Sequence, residues 1–522
     1  MAGAGGAACG SVHRMHADDG AGDDDGTGDA GGDAGDGGDA DGSDGGADGG
    51  GDDGGVPEPA AVCTGASGER IRQVVRRHDD GTSEAVGLRD TEFGNDCSFQ
   101  VDRDGTTRCL PRLDGEPFGF GLVEFTDAGC TNPIIHFSVY GTPVPGRAVV
   151  RAEEASCGTP FDYYDLGGAL SFPEETTLYF VNSETGFCST TTADTSATSH
   201  YFARGAEITP DRFVAASEAW SGEGRLGVQV WEGADGSRAC EPSVRMRDQA
   251  LGGHSCLPGI GEDDVLRCLP ESNSVVEVSM SSQCASPAPA AQVSGTCDRG
   301  LEYSAESVFQ GCRAHQVVRA LGEQLPGSFY FEGSEGCEAI PPGNLYFTLG
   351  ALVDPSSFAA LETERVPLGA RLERMDMVGD GVRVAQHDWY DGEREVACKF
   401  DLATDGALRC LPGTTDVPEA RVTDVYADPK CEGAASQLAL FEDRCATGAE
   451  PKYVRDTRSG SAVAVYAIGQ PVADTRYVVS AGFCTSVSAP SRLYTIGPEV
   501  SAGSFVAGVD EVEEAGQTEQ TE

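Results

Sequence analysis

Ser255 stands in Gly-His-Ser-Cys-Leu (253–257), half of the strand-to-helix elbow that would present a serine nucleophile for acyl transfer. The elbow's second glycine is missing and the serine runs straight into Cys256, so the segment reads as structure. No complete G-x-S-x-G, HExxH or Walker A motif occurs in the chain. The eight histidines (His13, His16, His78, His136, His200, His254, His315 and His387) never recur at equivalent places in the repeats described below. They read as surface or internally satisfied side chains rather than metal ligands. Carboxylates are abundant enough to supply a glycosidase pair, but among 85 acids any two can be made to look paired. Trp389 and Tyr390, or Phe161, Tyr163 and Tyr164, could stack on sugars; filling a strand core is the better reading. No catalytic, metal-binding or cofactor-binding residue is assigned.

Sulfur is the chemistry that recurs. None of the nineteen cysteines forms a Cys-x-x-Cys pair, which leaves zinc ribbons and thioredoxin-type redox sites unsupported. Three pairs lie twelve positions apart, Cys97/Cys109, Cys256/Cys268 and Cys398/Cys410, and each second cysteine sits in Arg-Cys-Leu-Pro. Asp104-Gly105 and Asp405-Gly406 place a hairpin turn inside two of these clips; Asp263-Asp264 in the middle one predicts a longer or less regular turn. A turn flanked by such cysteines is a hairpin with stapled ends, and closing that loop stabilises by about 3 kcal/mol. Cys284/Cys297, Cys431/Cys445 and Cys130/Cys157 are read as further pairs. The partners of Cys63, Cys188, Cys240, Cys312, Cys337 and Cys484 stay open. With Cys9 set apart, an even eighteen remain, which fits an exported protein in an oxidising compartment.

The elements carrying these clips are written three times. Each unit opens on Arg70-Ile71, Arg225-Leu226 or Arg371-Leu372 and proceeds through Asp80-Gly81, Asp235-Gly236 or Asp380-Gly381. An Asp precedes each clip (Asp90, Asp248, Asp391), and each unit closes around Phe213, Phe358 or Phe505, which are 145 and 147 residues apart. Turn or capping duty is assigned to the threefold Asp, with a repeated calcium or ligand site as the alternative, because catalysis seldom needs three copies of one acid. The runs between turns are short and rich in β-branched and aromatic residues, as in "AVAVYAIG"; "SQLALFEDRC" is the nearest candidate for a helix. The expected fold is all-β: three abutting disulfide-stapled β-repeats at 63–217, 218–363 and 364–510. They form a six-bladed propeller or, alternatively, a linear array of three β domains. Residues 1–62 and 511–522 are expected to be a disordered Asp/Gly-rich tether and a disordered acidic tail.

Formal net charge is −49, and residues 1–60 hold fifteen acids against one Arg. That balance argues against nucleic acid or anionic membrane surfaces as partners. The tether has too little apolar surface to offset chain entropy, and its like charges hold it open. "MAGAGGAACGS" resembles the end of a bacterial lipoprotein signal, with Cys9 as the lipidated residue. It departs from that pattern in having Gly6 where leucine is usual and only eight residues before the cysteine, which would place the true start upstream of Met1.

Taken together, the tether, the "RCLP" clips, "DxxC" (Asp127–Cys130, Asp428–Cys431) and the closing Phe runs resemble uncharacterised cysteine-stapled repeat lipoproteins of myxobacteria. Ser281–Cys284 departs from "DxxC", which marks unit two as the diverged copy. The resemblance implies export and display on the outer membrane or outside the cell, and it brings no known activity. The expected function is a monomeric, surface-tethered binding or structural protein, with an extracellular protein or glycan as partner and the membrane reached only through the lipid. The alternative is a secreted carbohydrate-active enzyme with a site at one face of a propeller.

Overall fold

The computed structural model describes residues 65–112, 118–138, 146–151, 161–182, 186–196, 198–222, 224–240, 245–271, 274–294, 302–310, 313–333, 336–340, 344–413, 420–432, 434–442, 450–458, 462–480, 483–487 and 491–513. Cys9, the tether and the acidic tail beyond 513 lie outside them. Among the described residues every regular element is a strand except four short 3-10 turns. Ser436–Glu442, within the segment that came closest to a helical pattern, is a strand, because Ala439 and Phe441 project into one core and Leu440 into another.

Fifteen strands build the centre of the molecule. Unit one supplies β1 (Ile71–His78), β2 (Ser83–Asp90), β3 (Asn95–Val101), β4 (Thr107–Pro111) and a closing strand β5 (Ala216–Ser221). Unit two supplies β6 (Leu226–Gly233), β7 (Met246–Asp248), β8 (His254–Ile260), β9 (Leu266–Pro270) and closing β10 (Glu362–Pro367). Unit three supplies β11 (Leu372–Gly379), β12 (Val382–Asp391), β13 (Val396–Leu402), β14 (Leu408–Pro412) and closing β15 (Ala507–Val512). Each closing strand pairs with the first strand of the next unit: β5 with β6, β10 with β11, and β15 back with β1. Each clip strand in turn meets the chain just ahead of its own closing strand, where Cys109, Cys268 and Cys410 donate backbone N–H bonds of 2.9 Å to Val214, Ala359 and Val506. The three meanders therefore form a closed ring.

Apolar clusters fill the seams. Ile71, Phe99 and Cys109 pack against Trp231 between units one and two, and Leu226, Met246 and Cys268 against Met377 and Val384 between two and three. The third seam holds Trp389, Phe400 and Cys398 of unit three. His78 of unit one stacks on Phe400 at 4.3 Å and meets the edge of Trp389 at 4.9 Å. The expected all-β fold of three abutting stapled units is present, and the units close into a ring. A linear array would leave β1 and β15 as bare edges, whose unpaired backbone groups are the liability that closure removes.

The second half of each unit forms a sheet or barrel of its own. In unit three, Ala420–Val425, Ser436–Glu442, Ser491–Glu499, Ala464–Pro471 and Tyr453–Asp456 close into a small barrel. Unit two has a five-stranded counterpart, Ser274–Val278, Ala288–Ser294, Asn344–Leu352, Arg313–Gln324 and Tyr303–Gln310. Each satellite carries a β-hairpin that docks on it, through Tyr179 against Phe125, Tyr330 against Ser279 and Tyr477 against Tyr426.

That docking decides the remaining sulfur pairings. The clip bridges Cys97–Cys109, Cys256–Cys268 and Cys398–Cys410 are formed, with Cα separations of 5.2 to 5.4 Å. The other three readings are corrected: Cys130 is bonded to Cys188, Cys284 to Cys337 and Cys431 to Cys484. Nearness in sequence misled because the first cysteine of each pair sits on a turn that faces the docked hairpin, 53 to 58 residues further on. Their former partners Cys157, Cys297 and Cys445 lie outside the described residues; Cys240 is also disulfide-bonded. This many disulfides points to an oxidising compartment.

Candidate functional site

The recurring residues converge on one job, which is holding the ring. Arg70 meets Asp90 through Nε–Oδ1 at 2.8 Å and Nη2–Oδ2 at 2.6 Å. Arg225 meets Asp248 at 2.7 and 2.7 Å, and Arg371 meets Asp391 at 2.8 and 2.5 Å. The three carboxylates are at most 1% exposed. Each also accepts the backbone N–H two residues on (Glu92, Ala250, Glu393), so the expected turn duty is present alongside an ion pair. The pair was open to sequence reading, since both charges recur in every unit some twenty residues apart, at separations of 20, 23 and 20. A two-pronged guanidinium–carboxylate contact with a capped turn leaves the acid little freedom for acid–base work.

The Asp-Gly turns reach across the seams. Asp235 Oδ2 accepts the backbone N–H of Arg70 at 3.0 Å and of Ile71 at 2.6 Å. Asp80 Oδ2 accepts that of Leu372 at 2.8 Å, and the carbonyl of Asp380 accepts that of Leu226 at 3.2 Å. Unit two thus caps unit one, unit one caps unit three, and unit three caps unit two. A glycine precedes each capped segment because the neighbour comes close: a Cβ on Gly68 would lie 2.5 Å from Asp235 Oδ2. Burial works to raise the carboxyls of Asp80 and Asp235, but the hydroxyls of Thr82 and Ser237 and the capped backbone N–H groups outweigh it and hold both below the ordinary carboxylate range.

Arg-Cys-Leu-Pro now has a role for each residue. Arg267 and Arg409 bind Asp263 and Asp405 in the clip turn and the carbonyls of Phe358 and Phe505 at 2.7 Å. Arg108 takes Asp104 at 2.6 Å and holds its carboxyl down at about 2. The cysteine staples, and Leu110, Leu269 and Leu411 are each 1% exposed. Pro111, Pro270 and Pro412 pair with the first cysteine of each clip. The middle turn is neither longer nor less regular than the others. Gly261, Asp264 and Val265 make the same backbone bonds as Asp102, Gly105 and Thr106, with Asp264 at φ 62° standing in for glycine. Likewise Ser281 keeps the "DxxC" geometry, since Cys284 N–H reaches the Ser281 carbonyl at 2.9 Å and Cys130, Cys284 and Cys431 share φ of 50° to 52°.

The aromatic residues singled out as sugar platforms are mostly interior. Trp389 is fully buried and Tyr163 nearly so, its hydroxyl pushed up by burial; Tyr164 is buried and Phe161 packs on the same cluster as Tyr163. Tyr390 lies under the Arg365 guanidinium at 4.4 Å. His78 is buried, His136 stacks on Tyr201 at 4.4 Å, and His315 contacts the Gly261 carbonyl at 3.0 Å. Among the described residues no group of three or more His, Cys, Asp or Glu is placed to hold a metal ion.

One small cleft, of about 130 Å³, belongs to unit two alone and is lined by Arg245, His254, Ser255, Glu271, Glu302 and Tyr303. His254 faces Glu302 at 3.2 Å, and Arg245 faces Glu271 at 3.1 Å. Each acid already has a side-chain partner, and the volume is well below the roughly 300 Å³ at which pockets begin to enclose small-molecule ligands. The unit-related surface is more prominent. Phe187 and Phe483, each directly before the hairpin cysteine of its unit, are 74% and 73% exposed, and Gly336 holds that place in unit two.

No curated protein and no solved structure matches the chain. A family model does match, over residues 58–310 and again, overlapping, over 173–505. Two overlapping matches are what an internally repeated sequence gives, and together they span residues 58–505. The chain belongs to the family of unknown function DUF7481.

Proposed function

We propose that the chain is an exported, surface-tethered binding module whose three stapled units form a rigid platform. The observation that carries this is that, among the described residues, the thrice-repeated Arg–Asp pairs and clip cysteines hold the units together from within. Function is thereby left to the parts that vary between units, above all the docked hairpins. Each is fixed by a disulfide at the turn end of the hairpin, and in units one and three the residue before that cysteine is an exposed phenylalanine. Pre-organised aromatic residues lose little entropy on binding a protein or glycan. The acidic Asp/Gly tether supports display at a distance from the membrane, with Cys9 as the lipid attachment point.

The test is fractionation and binding with the full chain. Cells fed a labelled fatty acid should yield the protein in the membrane fraction, disulfide-bonded and open to external protease, with the label lost in Cys9→Ala. Retention on a glycan or extracellular-protein array should fall at least tenfold in Phe187→Ser/Phe483→Ser. Recovery of the reduced protein from the cytosol would contradict export. Glycan hydrolysis abolished by Glu302→Gln would replace binding with catalysis.

A further inference from the structure

Of the three seams, two are ordinary hairpins. β5 ends at Ser221 and β6 begins at Leu226, and β10 ends at Pro367 and β11 begins at Leu372. The third is built the same way in space but not along the chain, because β15 and β1 lie at opposite ends of the ring-forming sequence, with Arg76 and Asp510 separated by 434 positions. Val74 to His78 pair in register with Val512 to Gly508, whereas β15 meets β14 only through Leu408–Gly508 and Arg409–Ala507.

This seam carries its own set of charge pairs, different from Arg365–Glu373 and Arg383–Glu364 across the β10–β11 seam. Arg76 binds Asp510 through two bonds of 2.7 and 3.0 Å, Arg77 binds Glu511 at 3.0 Å, and Ser67 binds Glu513 at 3.0 Å. At the position five residues into the first strand, the cross-strand pair is Arg76/Asp510 here, Trp231/Glu218 in the second seam and Met377/Thr363 in the third. The sequence of β15 is therefore matched to β1 and to neither of the other first strands.

We infer that this seam is an exchange site for a second copy of the same chain. When it opens, a terminal unit swings at the junction with its neighbour in the chain, and its free strand finds a β1 or β15 identical to the one it left. Two opened chains satisfy each other reciprocally, so that each ring of the dimer contains a terminal unit from its partner. The two seams of the exchanged unit are then rebuilt between copies, and the third seam stays within each chain. That is the physical basis of domain swapping: the contacts already exist, and only their covalent ownership changes. The charge pairs hold the exchanged strand to its correct register.

Two full-length variants test this. Arg76→Glu/Arg77→Glu sets acids against acids within its own seam, and Asp510→Arg/Glu511→Arg sets arginines against arginines. Mixed, each offers the strand that the other needs. An equimolar mixture passed through mild denaturant and returned to buffer should give, by light scattering and native mass spectrometry, a one-to-one heterodimer of twice the chain mass. Each variant alone should remain at the chain mass, and so should a chain carrying all four substitutions, in which the charge pairing is restored internally. A mixture that stays at the chain mass overturns the inference, whether the separate variants are folded or not. So does a four-substitution chain that dimerises as readily as the mixture.

Discussion

The Asp235 carboxylate accepts a 2.6 Å hydrogen bond from the backbone N–H of Ile71, 164 residues earlier in the chain. This contact joins the second unit to the first, and Asp80 and Asp380 repeat it around the ring through a side chain in one case and a backbone carbonyl in the other. Hydrogen bonds to a charged acceptor contribute about 1.5–3 kcal/mol each. Asp235→Ala removes two from the seam and should cost about 3–6 kcal/mol, measured as a shift in the denaturant midpoint.

The same carboxylates set the response to acid. Asp80 and Asp235 are held below the ordinary range in the folded state, and Asp104 is held at about 2. A depressed carboxyl stabilises the fold above its unfolded pKa and loses that contribution as pH falls through the folded value. Stability should therefore be flat down to about pH 4 and decline progressively toward pH 2. Thermal unfolding across that range checks the direction, and Asp235→Asn should flatten part of the decline.

Breaking the repeated ion pair should be far more costly than breaking a surface turn. Asp391→Ala strands Arg371 beside a vacated buried site, a change that costs about 3–5 kcal/mol in buried pairs. Asp127 makes as many local hydrogen bonds but is exposed, so Asp127→Ala should cost less than half as much. Chemical denaturation of the two variants side by side gives the comparison.

The two classes of disulfide should differ in a defined order. The clip bridges span 12 residues and the hairpin bridges 53 to 58. The chain-entropy relation gives about 3 kcal/mol for the former and about 4 kcal/mol for the latter. Cys431→Ser/Cys484→Ser should thus destabilise more than Cys398→Ser/Cys410→Ser. Peptide mapping without reduction should recover Cys130–Cys188, Cys284–Cys337 and Cys431–Cys484.

What sequence reading reached was local. The clips were legible because both cysteines and the turn between them lie within one hairpin. Strand character was legible from β-branched runs, and the repeat from Phe213, Phe358 and Phe505. The hairpin bridges were not, because Cys188, Cys337 and Cys484 come to their partners through docking that only the satellite fold arranges. Ring closure was hidden for the same reason: nothing in Arg76 or Asp510 alone announces a partner at the far end of the chain. Asp264 and Ser281 read in sequence as irregularities, yet both backbones keep the shared geometry, since Asp tolerates the left-handed turn and the serine carbonyl does the work of aspartate's.

The central claim is that three units close on themselves through β15 and β1, and native-state hydrogen exchange of the unmodified full chain tests it most directly. The account predicts that amides in 507–512 exchange as slowly as those in the equivalent closing strands 216–221 and 362–367. Exchange of 507–512 at the rate of an unpaired segment, with the other two closing strands protected, would contradict it.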